Sequence, residues 1–298
     1  MKRRLLASIM TLVMILSLLP TAVWAADTGD ESDHQETEDT AKPKPQSGEG
    51  IKLFAADDGK LDLKDGSIVI TETGYTQGNA ESETAYTGEY TISGTTTENT
   101  ITVTGGDQHI TLNGVNIDLS AQTEGVPCAF AIERGNVTLM LADGSENTLK
   151  SGLIDSGTTG ISCAGLWVRQ NASLTITGNS GKLIAVGGGT GSHNFGNAAK
   201  AAGIGSSRVY GSGYDTKYNT VGDITIAGGV IDATGSAAGG YGGPGIGGGT
   251  NASNITISGG TVTAASGYQS SGCAAIGSAY SHSGKKHIVI SGGTVTAT

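Results

Sequence analysis

Asp223-Ile-Thr-Ile-Ala-Gly-Gly-Val-Ile-Asp-Ala-Thr234, Asn254-Ile-Thr-Ile-Ser-Gly-Gly-Thr-Val-Thr-Ala-Ala265 and His287-Ile-Val-Ile-Ser-Gly-Gly-Thr-Val-Thr-Ala-Thr298 are one phrase written three times, 31 and 33 residues apart. A fixed period of that size is the mark of a stacked array. Each phrase reads as two short strands joined by Gly-Gly. A glycine-rich stretch and a third apolar step follow, at Gly245-Ile246 in one unit and Ala275-Ile276 in the next. A single unit has no core of its own; stacked units make one.

Upstream the same logic continues. In His109-Ile-Thr-Leu-Asn-Gly-Val-Asn-Ile-Asp-Leu119, Ile110 and Leu112 share one face. After the Asn113-Gly114 bend, Val115, Ile117 and Leu119 share one, and Asn116 and Asp118 point away, as a period of two requires. Further layers open at Asn136-Val-Thr-Leu-Met-Leu141 and Ser173-Leu-Thr-Ile-Thr-Gly178. Third steps fall at Ala129–Ile132, Ala164–Val168 and Ala202-Gly-Ile204. Asn136, Ser173, Asp223, Asn254 and His287 each precede the first inward residue of a layer, so stacking places them in one polar column. Equivalent strands recur without hairpin spacing. Parallel neighbours need a long return path, and here the other sides of a coil supply it. The expected fold is all-β, a parallel β-helix solenoid; periodicity leaves its hand open.

Composition agrees. The chain of 298 residues holds 50 glycines without a Gly-X-Y period, which excludes collagen and implies many tight bends. Thr, Ser, Val and Ile supply the short strands. With 3 Phe and 2 Trp, the core must be layered from small aliphatic side chains.

Residues 1–25 read as a secretory signal peptide. Lys2-Arg3-Arg4 is its charged start, and Leu5–Leu19 its apolar run, short for a bilayer span; Pro20 breaks that run, and Val23 and Ala25 precede the cut. Losing Lys2, Arg3 and Arg4 takes the formal charge from −10 to about −13. An acidic chain without a basic stripe argues against nucleic acid, and the mature chain has no membrane span. Residues 26–60 form an acidic, polar linker that cannot bury enough apolar area to order itself, although Leu53-Phe54-Ala55 is a candidate to dock as a small cap. Residues 61–100 are expected to close the first layer, and residues 101–298 to form the coils. The chain stops within a repeat, so further modules are expected beyond residue 298.

Catalysis on such a scaffold needs clustered outward carboxylates. Asp118 and Asp232 hold similar second-strand positions but several layers apart, with Lys182 or Ile184 between them and Thr263 beyond, so no pair results. Gly243-Pro-Gly-Ile-Gly-Gly248 matches a dinucleotide glycine pattern, but repeat strands follow it where a helix is required; coil turns explain it. Asp215, Asn219 and Asp223 are weak calcium candidates, and solvated loop residues are the plainer reading. No other cofactor is implied. Cys128 and Cys163 fall in adjacent layers, about 4.8 Å apart by strand spacing, within disulfide reach. A one-residue register ambiguity leaves two readings open, small core fillers (the commoner case) or a disulfide. Cys273 is left over either way. Thr261-Val-Thr263 and Thr294-Val-Thr296 begin the regular threonine array an ice-binding face would need, but Val230-Ile-Asp232 interrupts it.

The better binding candidates are aromatic. Phe195, Tyr241 and Tyr268 fall in loops before the third steps of successive layers. Tyr210, Tyr214 and Tyr218 crowd the insertion after Ile204, and Tyr280 follows a later step. Stacked loops would gather such rings on one flank, where a flat ring receives the apolar face of a sugar. The alternative, equally open for the set, is that they shield the core where glycine leaves gaps.

Gly74-Tyr-Thr-Gln-Gly78, Tyr90–Thr96, Asn99–Val103, His109–Asp118, Glu146–Gly152 and Ala202-Gly-Ile-Gly205 resemble secreted surface proteins of clostridia and related gut Firmicutes, often called carbohydrate-binding domain-containing proteins. The likeness covers residues 61–298. It implies a right-handed β-helix, export, display on a Gram-positive cell surface and, for some relatives, binding of plant or acidic polysaccharide. Relatives that bind acidic sugars carry an Asn-Asp-Gly-Ile type of step. The equivalents here, Ala202-Gly-Ile204, Pro244-Gly-Ile246 and Ala275-Ile276, hold no carboxylate, which argues against calcium. The expected function is a secreted, non-catalytic surface module that binds polysaccharide or host glycan, or acts in adhesion. A purely structural spacer and a polysaccharide lyase or hydrolase are the alternatives.

Overall fold

The computed structural model describes residues 58–122, 124–125, 127–155, 160–191, 201–210, 220–238, 241–248, 254–267, 273–278 and 287–298. The leader, most of the linker, Phe195, Tyr214, Asp215, Tyr218, Asn219, Tyr268 and Tyr280 lie outside these residues.

The three Gly-Gly phrases stack as parallel strands. Ile224, Ile255 and Ile288 are in register, as are Ile226, Ile257 and Ile290; beyond the glycines so are Ile231, Val262 and Val295. The glycines permit the bend between the two strands. Gly229, Gly260 and Gly293 sit at φ +81°, +81° and +78°, a region where a Cβ is strained. The long strand Asp107–Asp118 passes through the matching bend at Gly114, φ +77°. Both arms therefore belong to one large sheet. The third steps form a second parallel sheet, in which Ile68, Ile101, Phe130, Leu166, Ile204, Ile246 and Ile276 form one column. The inward columns of both sheets meet in one continuous aliphatic core. The fold is thus a parallel β-solenoid of about six turns, with no helix beyond one 3-10 turn among the described residues.

The stack is closed at its N-terminal end. The second sheet ends there in two antiparallel strands, Gly74–Gln77 and Thr84–Ala85. The first sheet begins with Lys60–Asp62 and the 3-10 turn Leu63–Asp65, which bury Leu61 and Leu63. Edge-to-face rings of Tyr75, Tyr86 and Tyr90, with centroids 6.0 and 5.0 Å apart, fill the space beside them.

Among the described residues, two excursions leave the coil. Leu153–Asp155, Gly160–Ser162 and Arg208–Tyr210 make a small antiparallel sheet. Its Ile161 packs over a second, separate cluster of Cys128, Ala131, Cys163, Ala164, Trp167 and Ala202. Ala131 and Trp167 alternate with inward-facing neighbours, yet are 5% and 3% exposed because this layer covers them. Thr190–Gly191, Ala237–Ala238 and Tyr241–Gly242 form another small sheet.

Within the covered cluster Cys128 and Cys163 are bonded as a disulfide, Cα to Cα 5.1 Å. This decides the reading left open above, against the small-filler case. Cys128 lies two residues before Phe130, Cys163 three before its partner Leu166. The extra residue is Gly165, and that offset is what the periodicity could not place.

Candidate functional site

The first arm presents two regular columns. Asn136 Nδ2 donates to Asp107 Oδ1 at 2.6 Å, Ser173 Oγ donates to Asn136 Oδ1 at 2.7 Å, and Asn254 Nδ2 donates to Asp223 Oδ1 at 3.0 Å. His287 occupies the next rung. The polar column is therefore real, begins one coil earlier at Asp107, and engages Asp223 within itself. Two residues along each strand runs a second column, His109, Thr138, Thr175, Thr225, Thr256 and Val289. Four threonines thus follow one another in register, on a different arm from the interrupted Thr-Val-Thr pairs. The centre of each Val-Thr-Leu, Leu-Thr-Ile or Ile-Thr-Ile triplet was the signal that could have revealed them.

The second arm is charged. Its outward columns read Asn116, Thr148, Ile184, Asp232, Thr263 and Thr296; Glu146, Lys182, Val230, Thr261 and Thr294; and Asp118, Lys150, Val186, Thr234 and Ala265. Asp118 and Asp232 are therefore in different columns, and Ile184, not Lys182, is the residue beside Asp232. Lysines separate the acids: Lys150 Nζ lies 3.2 Å from Asp118 Oδ2, and Lys182 Nζ 3.8 Å from Glu146 and 4.0 Å from Asp232.

Where this arm ends, a cleft of about 320 Å³ opens, lined by Ser120, Lys150, Ser151, Leu153, Val186, Gly187 and Gly189. Its origin is local. Lys150 and Val186 are paired as the last residues of adjacent strands, and the chain then departs in different directions, toward Leu153–Asp155 from one and Thr190–Gly191 from the other. Small residues let the floor close. A Cβ on Gly188 would collide with the Gly152 carbonyl. The floor's polar groups are spent internally: Ser151 Oγ donates to the Ala164 carbonyl at 2.6 Å and accepts from Ala129 N–H at 2.9 Å, while Gly188 N–H donates to the Cys163 carbonyl at 2.7 Å.

The mouth is polar. Asp118 Oδ1 accepts from Ser120 Oγ at 2.5 Å and from Ser120 N–H at 3.1 Å. The Ser120 hydroxyl first, with help from Lys150, holds the Asp118 carboxyl below the usual carboxylate range. Asp118 is thus an ionised acceptor at neutral pH, ill suited to deliver a proton as a general acid.

Each strand leaving the cleft leads toward a tyrosine. Leu153–Asp155 pairs with Gly160–Ser162, whose Gly160 is opposite Tyr210; Thr190–Gly191 pairs with Ala237–Ala238, whose Ala238 is opposite Tyr241. The backbone thus carries two of the seven aromatic candidates on the small sheets rooted at the cleft. The other five lie outside the described residues. The cleft itself escaped sequence reasoning, because it is built where the coils depart from their period.

Among the described residues, no group of three His, Cys, Asp or Glu side chains is placed to hold a metal. No helix there is long and apolar enough to cross a membrane. Gly243–Gly248 leads into the strand Ile246–Gly248 of the second sheet, so its glycines serve the coil.

Fold and cleft define the class: a parallel β-solenoid with a polar cleft on one flank. Comparison with protein-family profiles, with curated proteins and with solved structures finds no match.

Proposed function

We propose that this chain is a secreted, non-catalytic surface module that binds carbohydrate, a polysaccharide or a host glycan, in adhesion. The observation that carries the reading is the cleft beside Asp118 and Lys150, at the root of two small sheets bearing tyrosines. A sugar hydroxyl is both donor and acceptor, and this mouth offers a carboxylate, an ammonium and a hydroxyl within a few ångströms. Leu153 and Val186, which line the cleft beside them, suit the C–H faces of a pyranose. Export is supported by the leader-like residues 1–25 and by the Cys128–Cys163 bond, a linkage favoured in oxidising compartments.

The test is a glycan-array screen, followed by titration of the best ligands into wild type, Lys150→Ala and Tyr241→Ala. Saturable binding weakened at least about tenfold by each substitution, with the ligand recovered intact, supports the reading. Absence of binding with high stability favours the spacer. Shortened or unsaturated oligosaccharide establishes a hydrolase or lyase.

A further inference from the structure

Asn113-Gly114 is the one Asn-Gly pair in the sequence, and such a pair carries its own reaction. The glycine nitrogen, losing its proton, attacks the side-chain carbonyl carbon of the asparagine. A C–N bond closes a succinimide ring, and the side-chain nitrogen leaves as ammonia. Water then opens the ring at either carbonyl, giving aspartate or isoaspartate. Glycine hinders this attack least, because it has no Cβ beside the nucleophile and turns freely. Both residues are exposed, within the strand Asp107–Asp118, so base and water reach them. The nucleophile is nonetheless engaged. Gly114 N–H donates to Asn147 Oδ1 at 3.0 Å, and Val115 N–H donates to the same oxygen at 3.0 Å. Asn147 is 0% exposed, and its own Nδ2 is anchored on Ser145 Oγ at 2.9 Å and on the Lys182 carbonyl at 3.1 Å.

We propose that Asn113 is a latent deamidation site and that Asn147 is the latch that keeps it closed. The latch acts on both requirements of the reaction. A nitrogen whose N–H is held by a buried acceptor must first give up that bond before it can reach the asparagine side chain. The ring also closes only when the backbone at Asn113 turns out of its extended course, and the paired bonds to Gly114 and Val115 fix the bend that follows. The consequence of release lies downstream. Isoaspartate at position 113 adds a main-chain CH2 just before the arm that places Asn116, Ile117 and Asp118 beside Thr148, Leu149 and Lys150. That register sets the Asp118–Lys150 pair at the cleft mouth. Loss of ammonia makes the change one-way, so the reaction, once released, permanently alters the flank. Asn179-Ser180 supplies a comparison within the same chain. It lies on the surface between two strands, and its Ser180 N–H is held only by the exposed Asp143 carboxylate, at 3.1 Å.

Peptide mapping by mass spectrometry, on the purified chain held in mildly alkaline buffer with and without urea, tests this. Asn113 is expected to deamidate at least about tenfold more slowly in the folded chain than in urea, as a group that reacts only from an opened state should. Asn147→Ala is expected to erase most of that protection while Asn179 keeps its wild-type rate. Because that substitution also removes the Nδ2 bonds, Asn147→Asp is measured beside it. Asn147→Asp loses the same donations but keeps an oxygen for both N–H groups, and should leave Asn113 slow. Equal Asn113 rates in folded and unfolded wild type overturn the proposal. So does protection that survives Asn147→Ala. An Asn147→Asp chain that reacts as fast as the alanine variant overturns it too, since loss of stability rather than of the latch would then set the rate.

Discussion

The side-chain oxygen of Asn147 accepts the backbone N–H of Val115 at 3.0 Å, and that of Gly114 at the same distance. Its nitrogen donates to Ser145 Oγ at 2.9 Å and to the Lys182 carbonyl at 3.1 Å. Asn147 is fully buried and stands in register with Leu183 in an otherwise aliphatic column. It therefore satisfies the donors that the Gly114 bend turns inward, and ties three coils together.

Asn147→Ala should cost about 2–4 kcal/mol, because it strands two buried N–H groups as well as losing its own bonds. Asn147→Leu should not restore the loss, although it fits the column's aliphatic character. Urea unfolding measures both; a loss under about 1 kcal/mol for either would show that the bend is held by other means.

The Cys128–Cys163 bond closes a separation of 35 residues between neighbouring coils, beneath the layer that carries Ile161. Cys163→Ser should lower stability by about 2–4 kcal/mol. It should also increase hydrogen exchange in Leu153–Asp155 and Gly160–Ser162 ahead of the main coil. Equal protection in both proteins would mean that the covering sheet does not depend on the bond.

Gly205, Gly247 and Gly277 occupy one outward column of the second sheet, at φ +142°, +133° and +131°. A Cβ on Gly247 would collide with the Gly277 carbonyl. Gly247→Ala should therefore destabilise by more than about 1 kcal/mol, combining backbone strain with the clash. A neutral result in thermal unfolding would show that the column can open.

The Asp118 carboxyl is held low, chiefly by Ser120 and then by Lys150. A depressed folded-state pKa adds stability above the ordinary carboxylate range, and that contribution is lost as pH falls through the folded value. Asp118→Asn should therefore be less stable than wild type near pH 7, with the gap closing as pH falls below the ordinary carboxylate range. A gap that widens on acidification would reverse the sign.

Much of this architecture was legible in residues 223–298, where Ile-Thr-Ile and Gly-Gly repeat at nearly constant spacing and each inward side chain announces the next. The polar column through Asn136, Ser173, Asp223 and Asn254 was legible for the same reason. Gly165 was not: one added residue shifts Cys163 against Cys128 without disturbing Leu166. Asn147 was hidden too, since a polar residue at an inward position reads as a break until its four partners are seen. The cleft lay deeper still, because Ser120, Lys150, Leu153 and Gly189 come from stretches of unequal length, and their meeting depends on where each strand stops.

The most direct measurement for the account as a whole is hydrogen exchange with and without a saturating oligosaccharide chosen from the array. Binding at the flank predicts slowed exchange around Ser120, Lys150–Leu153 and Val186–Gly189, extending into the strands of Tyr210 and Tyr241. The threonine column from Thr138 to Thr256 should stay unchanged. Protection confined to that column, or a ligand that leaves the cleft unaltered, would contradict it.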